Sequence, residues 1–135
     1  MPNIRPTHKK SEWNITKHEF YTAYHYALQY DDWKNMIEAE SNLSAIVQSG
    51  MPHGSGTSDP TYTKALKISE YRDKMRLIEE TVREAGEEIY IWLLCAVTNE
   101  NCTFNYLSTK MNIPCGQTYY YDKRRKFYYL LSKKI

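Results

Sequence analysis

The side chains best suited to chemistry gather in the last third of the chain, where cations follow a short run of uncharged hydrogen-bonding groups. Between Tyr119 and Ile135 six cations, Lys123, Arg124, Arg125, Lys126, Lys133 and Lys134, stand against one anion, Asp122, while the whole chain carries only +2. Positive charge gathered on one element makes a local field that attracts phosphate. Gln117, Thr118 and Tyr121 precede the cations with uncharged hydrogen-bonding groups, and Arg125 follows about one helical turn later. An amide can pair with two atoms on the edge of adenine, and a guanidinium with two on guanine. The pattern assigns Gln117, Thr118, Tyr121 and Arg125 to base edges, and Lys110, Lys123, Arg124 and Lys126 to phosphates. A solvated helix end carries similar charge in many proteins that bind no nucleic acid. The assignment therefore depends on the elements that would position these residues.

Other chemistries lack their residue sets. Cys95, Cys102 and Cys115 are spaced by seven and thirteen residues, with no CxxC pair or Cys/His grid, so no zinc site is predicted. Cys95 lies in an apolar helical run and reads as a small buried hydrophobe. His18-Glu19 does not complete an HExxH motif, because residue 22 is Thr. His18 and His25 could share a helix face, an arrangement more often of packing or surface type than metal-binding. The GxxxGxG spacing of Gly50, Gly54 and Gly56 has neither a Lys-Ser/Thr after it nor an apolar strand before it, which excludes a P-loop. His53 beside Gly54 has no nucleophile elbow to serve. The chain is expected to be no enzyme, to hold no metal and to need no cofactor.

The elements read as all-α. Residues 1–49 form an N-terminal helical segment. After a frayed stretch at 1–15, Phe20, Tyr24, Ala27 and Leu28 keep helical spacing, and Thr16 with Glu19 predicts a capping box. Asp31 and Asp32 suit the start of a second helix carrying Trp33 and Ile37. The two form an antiparallel pair or one bent helix. Residues 50–61, GMPHGSGTSDPT, read as a flexible loop. Residues 62–86 form a long spacer helix. Ile68, Tyr71, Met75, Ile78, Val82, Ala85, Ile89, Trp92 and Ala96 recur at alternating spacings of three and four. That 68–96 stripe serves either a homo-oligomeric coiled coil or an intramolecular bundle, and the pattern leaves both open. Gly86 predicts a bend or break.

Residues 87–135 form the C-terminal unit. A first helix over Glu87–Thr98 is followed by a turn at Asn99–Asn101 and a short helix capped by Thr103. Asn112-Ile113-Pro114 then breaks the chain: Asn ends a helix, Ile113 anchors the turn, and Pro114 suits a helix start. The last helix is expected from about Cys115 to Lys133, with Gly116 allowing the preceding helix to approach closely. Short helix, break and basic helix are the parts of a helix-turn-helix.

At 135 residues, 41% hydrophobic and 25% charged, the chain can bury a core. Its longest apolar run, Ile89–Val97, falls short of the ~18–20 residues of a membrane span. The first residues, MPNIRPTHKKSEW, contain no apolar h-region, which predicts a cytoplasmic location.

The stretch LLCAVTNENCTFNYLSTKMNIPCGQTYYYDKRRKFYYLL resembles the helix-turn-helix of sigma-factor region 4. Thr103, Leu107, Met111, Ile113 and Thr118 occupy its recurrent slots. Ser108 stands where that pattern has a small alanine, and Pro114 where it has a capping Ser. Over roughly 16–133, YALQYDDWKNMI, the GMPHGSGTSDPT loop and TYYYDKRRKFYYLL are similar to small phage-encoded regulators of the RinA/ArpU type. The resemblance implies a prophage-encoded transcriptional regulator binding double-stranded DNA, with contact to RNA polymerase left open. Two other classes fit the same elements. One is a phage small-terminase-type packaging protein, which also joins a helix-turn-helix to an oligomerising region. The other is a helical interaction module whose basic helix docks an acidic protein.

Overall fold

The computed structural model describes residues 12–48 and 59–135, and these contain six α-helices, one turn of 3-10 helix and no strand. Residues 1–11 and 49–58 lie outside the described residues; of the stretches read above as frayed and as loop, Trp13 and Ile15 pack on the fold and Asp59 already begins a helix. Helix α1 spans Lys17–Leu28, α2 Tyr30–Gln48 and α3 Asp59–Gly86. After the 3-10 turn Glu87–Ile89 come α4, Tyr90–Thr98, α5, Phe104–Lys110, and α6, Gln117–Lys134.

The predicted capping box opens α1. The Glu19 amide donates to Thr16 Oγ1 at 3.1 Å, and the Thr16 amide donates to Glu19 Oε1 at 3.2 Å. Two otherwise orphaned backbone donors are thereby satisfied. Helices α1 and α2 are separate and meet at Gln29, whose carbonyl accepts from the Trp33 amide at 2.9 Å. Helix α2 then runs antiparallel to α3. Tyr30 Oη donates to Glu79 Oε2 at 2.7 Å, Lys74 Nζ lies 5.6 Å from the Trp33 ring centroid, and Lys64 meets Glu40 at 3.9 Å. Rising numbers on α2 pair with falling numbers on α3.

Gly86 ends α3, as its place in the stripe predicted. A Cβ built on it would stand 3.2 Å from Ile89 Cγ1 and 3.4 Å from Lys123 Cβ, so glycine lets α6 cross the break closely. The 3-10 turn that follows redirects the chain into α4, which buries Leu93, Ala96 and Val97.

The heptad stripe does not continue as one helix, and its C-terminal half is used inside the chain. Ile78, Val82, Ala85, Ile89 and Ala96 are all buried within one chain. Helix α3 packs on α2 along its length and on α6 near its end, so a coiled coil through 68–96 would have to break this core. Residues on both sides of the break at 86 share one core. Phe20 and Ala27 of α1, Trp33 of α2, Val82 of α3, Leu93 of α4 and Phe127 of α6 belong to one buried cluster.

Helix α6 is the common wall of that cluster. Tyr120, Phe127, Tyr128 and Leu131 are buried at helical spacing, against α1 and α3. The Phe20 ring meets Tyr128 edge-on at 5.1 Å, and Tyr128 meets Phe127 at 5.2 Å. Such edge-to-face aromatic pairs add to what burial alone contributes. Among the described residues no helix is long and apolar enough to cross a membrane.

Phe127→Ala is expected to lower the unfolding free energy by about 3–5 kcal/mol, the usual effect of emptying an aromatic core site. Urea titration followed by circular dichroism measures it. A loss below ~1 kcal/mol would show that α6 is not the wall of the core.

Candidate nucleic-acid interface

The basic helix is positioned by α5 and the connection after it. Thr103 caps α5, its Oγ1 accepting from the Tyr106 amide at 3.2 Å. Leu107 is fully buried, and the Phe104 ring packs against Tyr120 at 5.3 Å and Tyr121 at 6.4 Å. Trp92 Nε1 of α4 donates to the Met111 carbonyl at 2.8 Å, pinning the end of α5. Asn112 takes φ 52°, the left-handed conformation that Asn tolerates better than most residues. The chain turns there, so that the amides of Met111 and Ile113 both donate to the Leu107 carbonyl, at 3.2 and 3.1 Å. Ile113 is buried as the anchor of this turn.

Gly116 corrects the expectation attached to it. Nothing lies within 4 Å of a Cβ built there, so it permits no close approach. It is the N-cap of α6, which starts at Gln117, two residues later than expected, and it supplies no side-chain cap. The first amides of α6 therefore have no capping side chain, and the positive end of the helix dipole faces outward.

Gln117 and Thr118 are exposed on this first turn beside Tyr119, which is 40% exposed. Helical geometry puts Thr118, Asp122 and Arg125 on the side away from the buried Tyr120 and Phe127, whereas Gln117 and Tyr121 stand one heptad before Arg124 and Tyr128, at the edge of the inner face. Tyr121 is half-buried through its contact with Phe104. Arg125 is half-buried, and its Nε has no hydrogen-bond partner. Asp122 belongs to the same side; its carboxylate repels phosphate but can accept from the cytosine amino group.

The lysines divide into three groups. Lys110 is exposed at the end of α5. Lys123 and Lys126 stack on aromatic faces, their ammonium groups 5.1 Å from the Tyr119 centroid and 5.2 Å from that of Trp13. These contacts hold the stems while leaving the heads near solvent. Lys133 is 3.6 Å from Glu19, and Lys134 donates to Glu84 Oε1 and Thr81 Oγ1, each at 3.0 Å. The packing of α1 and α3 beside α6 thus compensates the last two charges.

Arg124 departs from the phosphate-contacting role expected of it. It lies on the inner face of α6, four residues after Tyr120 and four before Tyr128. Its Nη1 donates to Tyr120 Oη at 3.1 Å, and its guanidinium carbon is 5.9 Å from each of those two ring centroids. Tyr128 Oη lies beside the guanidinium without an aligned hydrogen bond. Seven-residue periodicity forces this placement, since residues 120, 124, 127, 128 and 131 share one side of a helix. A phosphate contact by Arg124 would compete with its hydrogen bond to Tyr120.

Burial pushes the phenols here upward. The Tyr120 hydroxyl is raised from 10.0 to about 12 by burial, with Arg124 opposing, and Tyr128 moves the same way for the same reasons. Among the described residues no group of three His, Cys, Asp or Glu side chains could hold a metal ion. His18 and His25 are both exposed on α1, His25 packed against Tyr21 and Tyr24.

Two features escaped the sequence pattern. Tyr106 and Tyr119 are exposed on α5 and on the first turn of α6, where their only signal was a failure to fit the buried spacing. Cys95 and Cys102 are neighbours in space, and their spacing alone gave no sign of it. Comparison with protein-family models, curated proteins and solved structures found no match to this chain.

The phenol shift makes the fold sensitive to alkali. A phenol is neutral when protonated, so the folded chain holds the Tyr120 proton to higher pH than the unfolded chain does. Its contribution to stability is complete below pH 10.0 and is lost as pH rises through about 12. Tyr120→Phe should therefore lose less stability across that window than the parent chain, measured by denaturant unfolding on both sides of it. Parallel decline of the two proteins would contradict the buried phenol.

Proposed function

We propose that the chain is a phage- or prophage-encoded transcriptional regulator that binds double-stranded DNA through α5 and α6 as a helix-turn-helix. The observation that carries this reading is the first turn of α6. It is exposed, uncharged and without a side-chain cap, and it follows a short capped helix and an Asn112 turn. In such a motif the start of the second helix enters the major groove, where amide and hydroxyl groups meet base edges. The dipole of α6 and the exposed ammonium of Lys110 favour the flanking phosphates.

Within this reading Gln117, Thr118, Tyr121 and Arg125 face bases, and Lys110, Lys123 and Lys126 face phosphates. Arg124 is set apart as a half-buried residue that bonds the Tyr120 hydroxyl within α6. Lys133 and Lys134 contribute little, because a paired surface charge has less to gain from a phosphate. The phage assignment and the control of genes rest on the resemblance to RinA/ArpU-type regulators.

Selection of bound sequences from a random duplex pool tests the function. A defined motif is expected, and a palindrome would mean that two copies bind together. Recovery of no motif would remove sequence-specific regulation from the account.

Substitutions separate the roles. Arg125→Ala is expected to weaken binding to the selected site by about 1–3 kcal/mol and to relax one base position. Lys123→Ala and Lys126→Ala should weaken binding to all duplexes and flatten its salt dependence by about one unit of slope each. Arg124→Ala should instead lower folding stability by about 1–3 kcal/mol, because it strips the buried Tyr120 hydroxyl of its donor. An Arg124→Ala chain of unchanged stability but reduced salt slope would return Arg124 to the phosphates.

A further inference from the structure

Away from the α5–α6 surface, two thiols meet. Cys95 lies on the last turn of α4 and is half-buried, while Cys102 lies in the following turn and is 4% exposed. Their sulfur atoms are 2.9 Å apart, and both thiols are free.

The turn produces the meeting. Asn99 leaves the helix in extended conformation, and its Nδ2 donates back to the Cys95 carbonyl at 3.1 Å. The Cys102 amide donates to the Asn99 carbonyl at 3.3 Å, which folds the chain back over the end of α4. A cysteine serving only as a small apolar filler has no need of a second sulfur as neighbour. Here each sulfur lies where the other can attack it, and Cys95 gives the pair its access to solvent.

We propose that Cys95 and Cys102 are a dithiol site oxidised to a disulfide by small disulfides of the glutathione class. The Cys95 thiolate attacks one sulfur of the reagent, forming a mixed disulfide and expelling one small thiolate, which takes up a proton. Cys102 then gives up its proton and attacks Cys95 Sγ, breaking the mixed disulfide and releasing the second small thiol. Two protein thiols become one disulfide, and the disulfide of the reagent becomes two thiols, a transfer of two electrons. The order of attack follows from access and charge. Burial and the neighbouring Cys95 push the Cys102 thiol up to about 12, so Cys102 stays protonated while Cys95 reacts first. The bond ties the turn that carries Thr103, the cap of α5, to α4. The site does not depend on whether α6 meets DNA.

The test treats the folded full chain with oxidised glutathione, blocks remaining thiols with iodoacetamide in denaturant, and maps peptides by mass. A bond between Cys95 and Cys102 within the peptide that holds both is expected, making it lighter by two hydrogens than its reduced form, with Cys115 alkylated. Dithiothreitol should reverse it, and the oxidised chain should melt at a higher temperature than the reduced one. Cys102→Ser should stop at a glutathione adduct on Cys95. Cys95→Ser, at the less buried position, should give neither link nor adduct at Cys102. Three alkylated thiols in the treated parent chain would overturn the proposal, as would a link that includes Cys115.

Discussion

The burial of one face of α6 is the constraint on which the rest of the structure depends. Tyr120, Phe127, Tyr128 and Leu131 are excluded from water against α1 and α3, and Arg124 lies in the same arc. Once that face is fixed inward, the helical period decides what is left to face outward, Thr118, Asp122 and Arg125, with Tyr121 at the edge. The candidate interface is thus the complement of the core. Aromatic burial supplies the rigidity, since a recognition surface on a helix is only as well placed as the face that holds it.

The same constraint reinterprets the charge. In the sequence the cations of the C-terminal stretch form one population. In the fold, Arg124 is hydrogen-bonded to a buried phenol, and Lys133 and Lys134 are compensated by Glu19 and Glu84 from neighbouring helices. Lys123 and Lys126 lie on aromatic rings near the start and middle of α6. The field available to a phosphate is therefore smaller than composition suggests and is concentrated toward the N-terminal half of the helix. That is the half where uncharged groups are exposed, so grip and reading would be performed by adjoining residues.

Local physics was legible in the sequence. The Thr16–Glu19 box, the break at Gly86, the Thr103 cap and the Asn112 stop each depend on a few consecutive residues. What required the fold was every property set by a distant neighbour. Gly116 has open space around it because α5 does not pass there, whereas Gly86 meets Lys123 from α6. The heptad stripe gave its spacing correctly, but not that α2 and α6 would cover it. Arg124 was grouped with its basic neighbours because a run of cations hides which one the helix turns inward. Cys95 and Cys102 are joined by a reversal at Asn99 that their spacing does not encode.

The central claim is that DNA meets the start of α6 and the end of α5, with the core face untouched. Titrating the 15N-labelled chain with a short duplex at low salt and following its amide resonances tests this most directly. The account predicts shifts concentrated at Lys110 and from Gln117 to Lys126, with the amides of α2 and the adjoining half of α3 unmoved. Shifts confined to α2 and α3, or none at any duplex concentration, would contradict it.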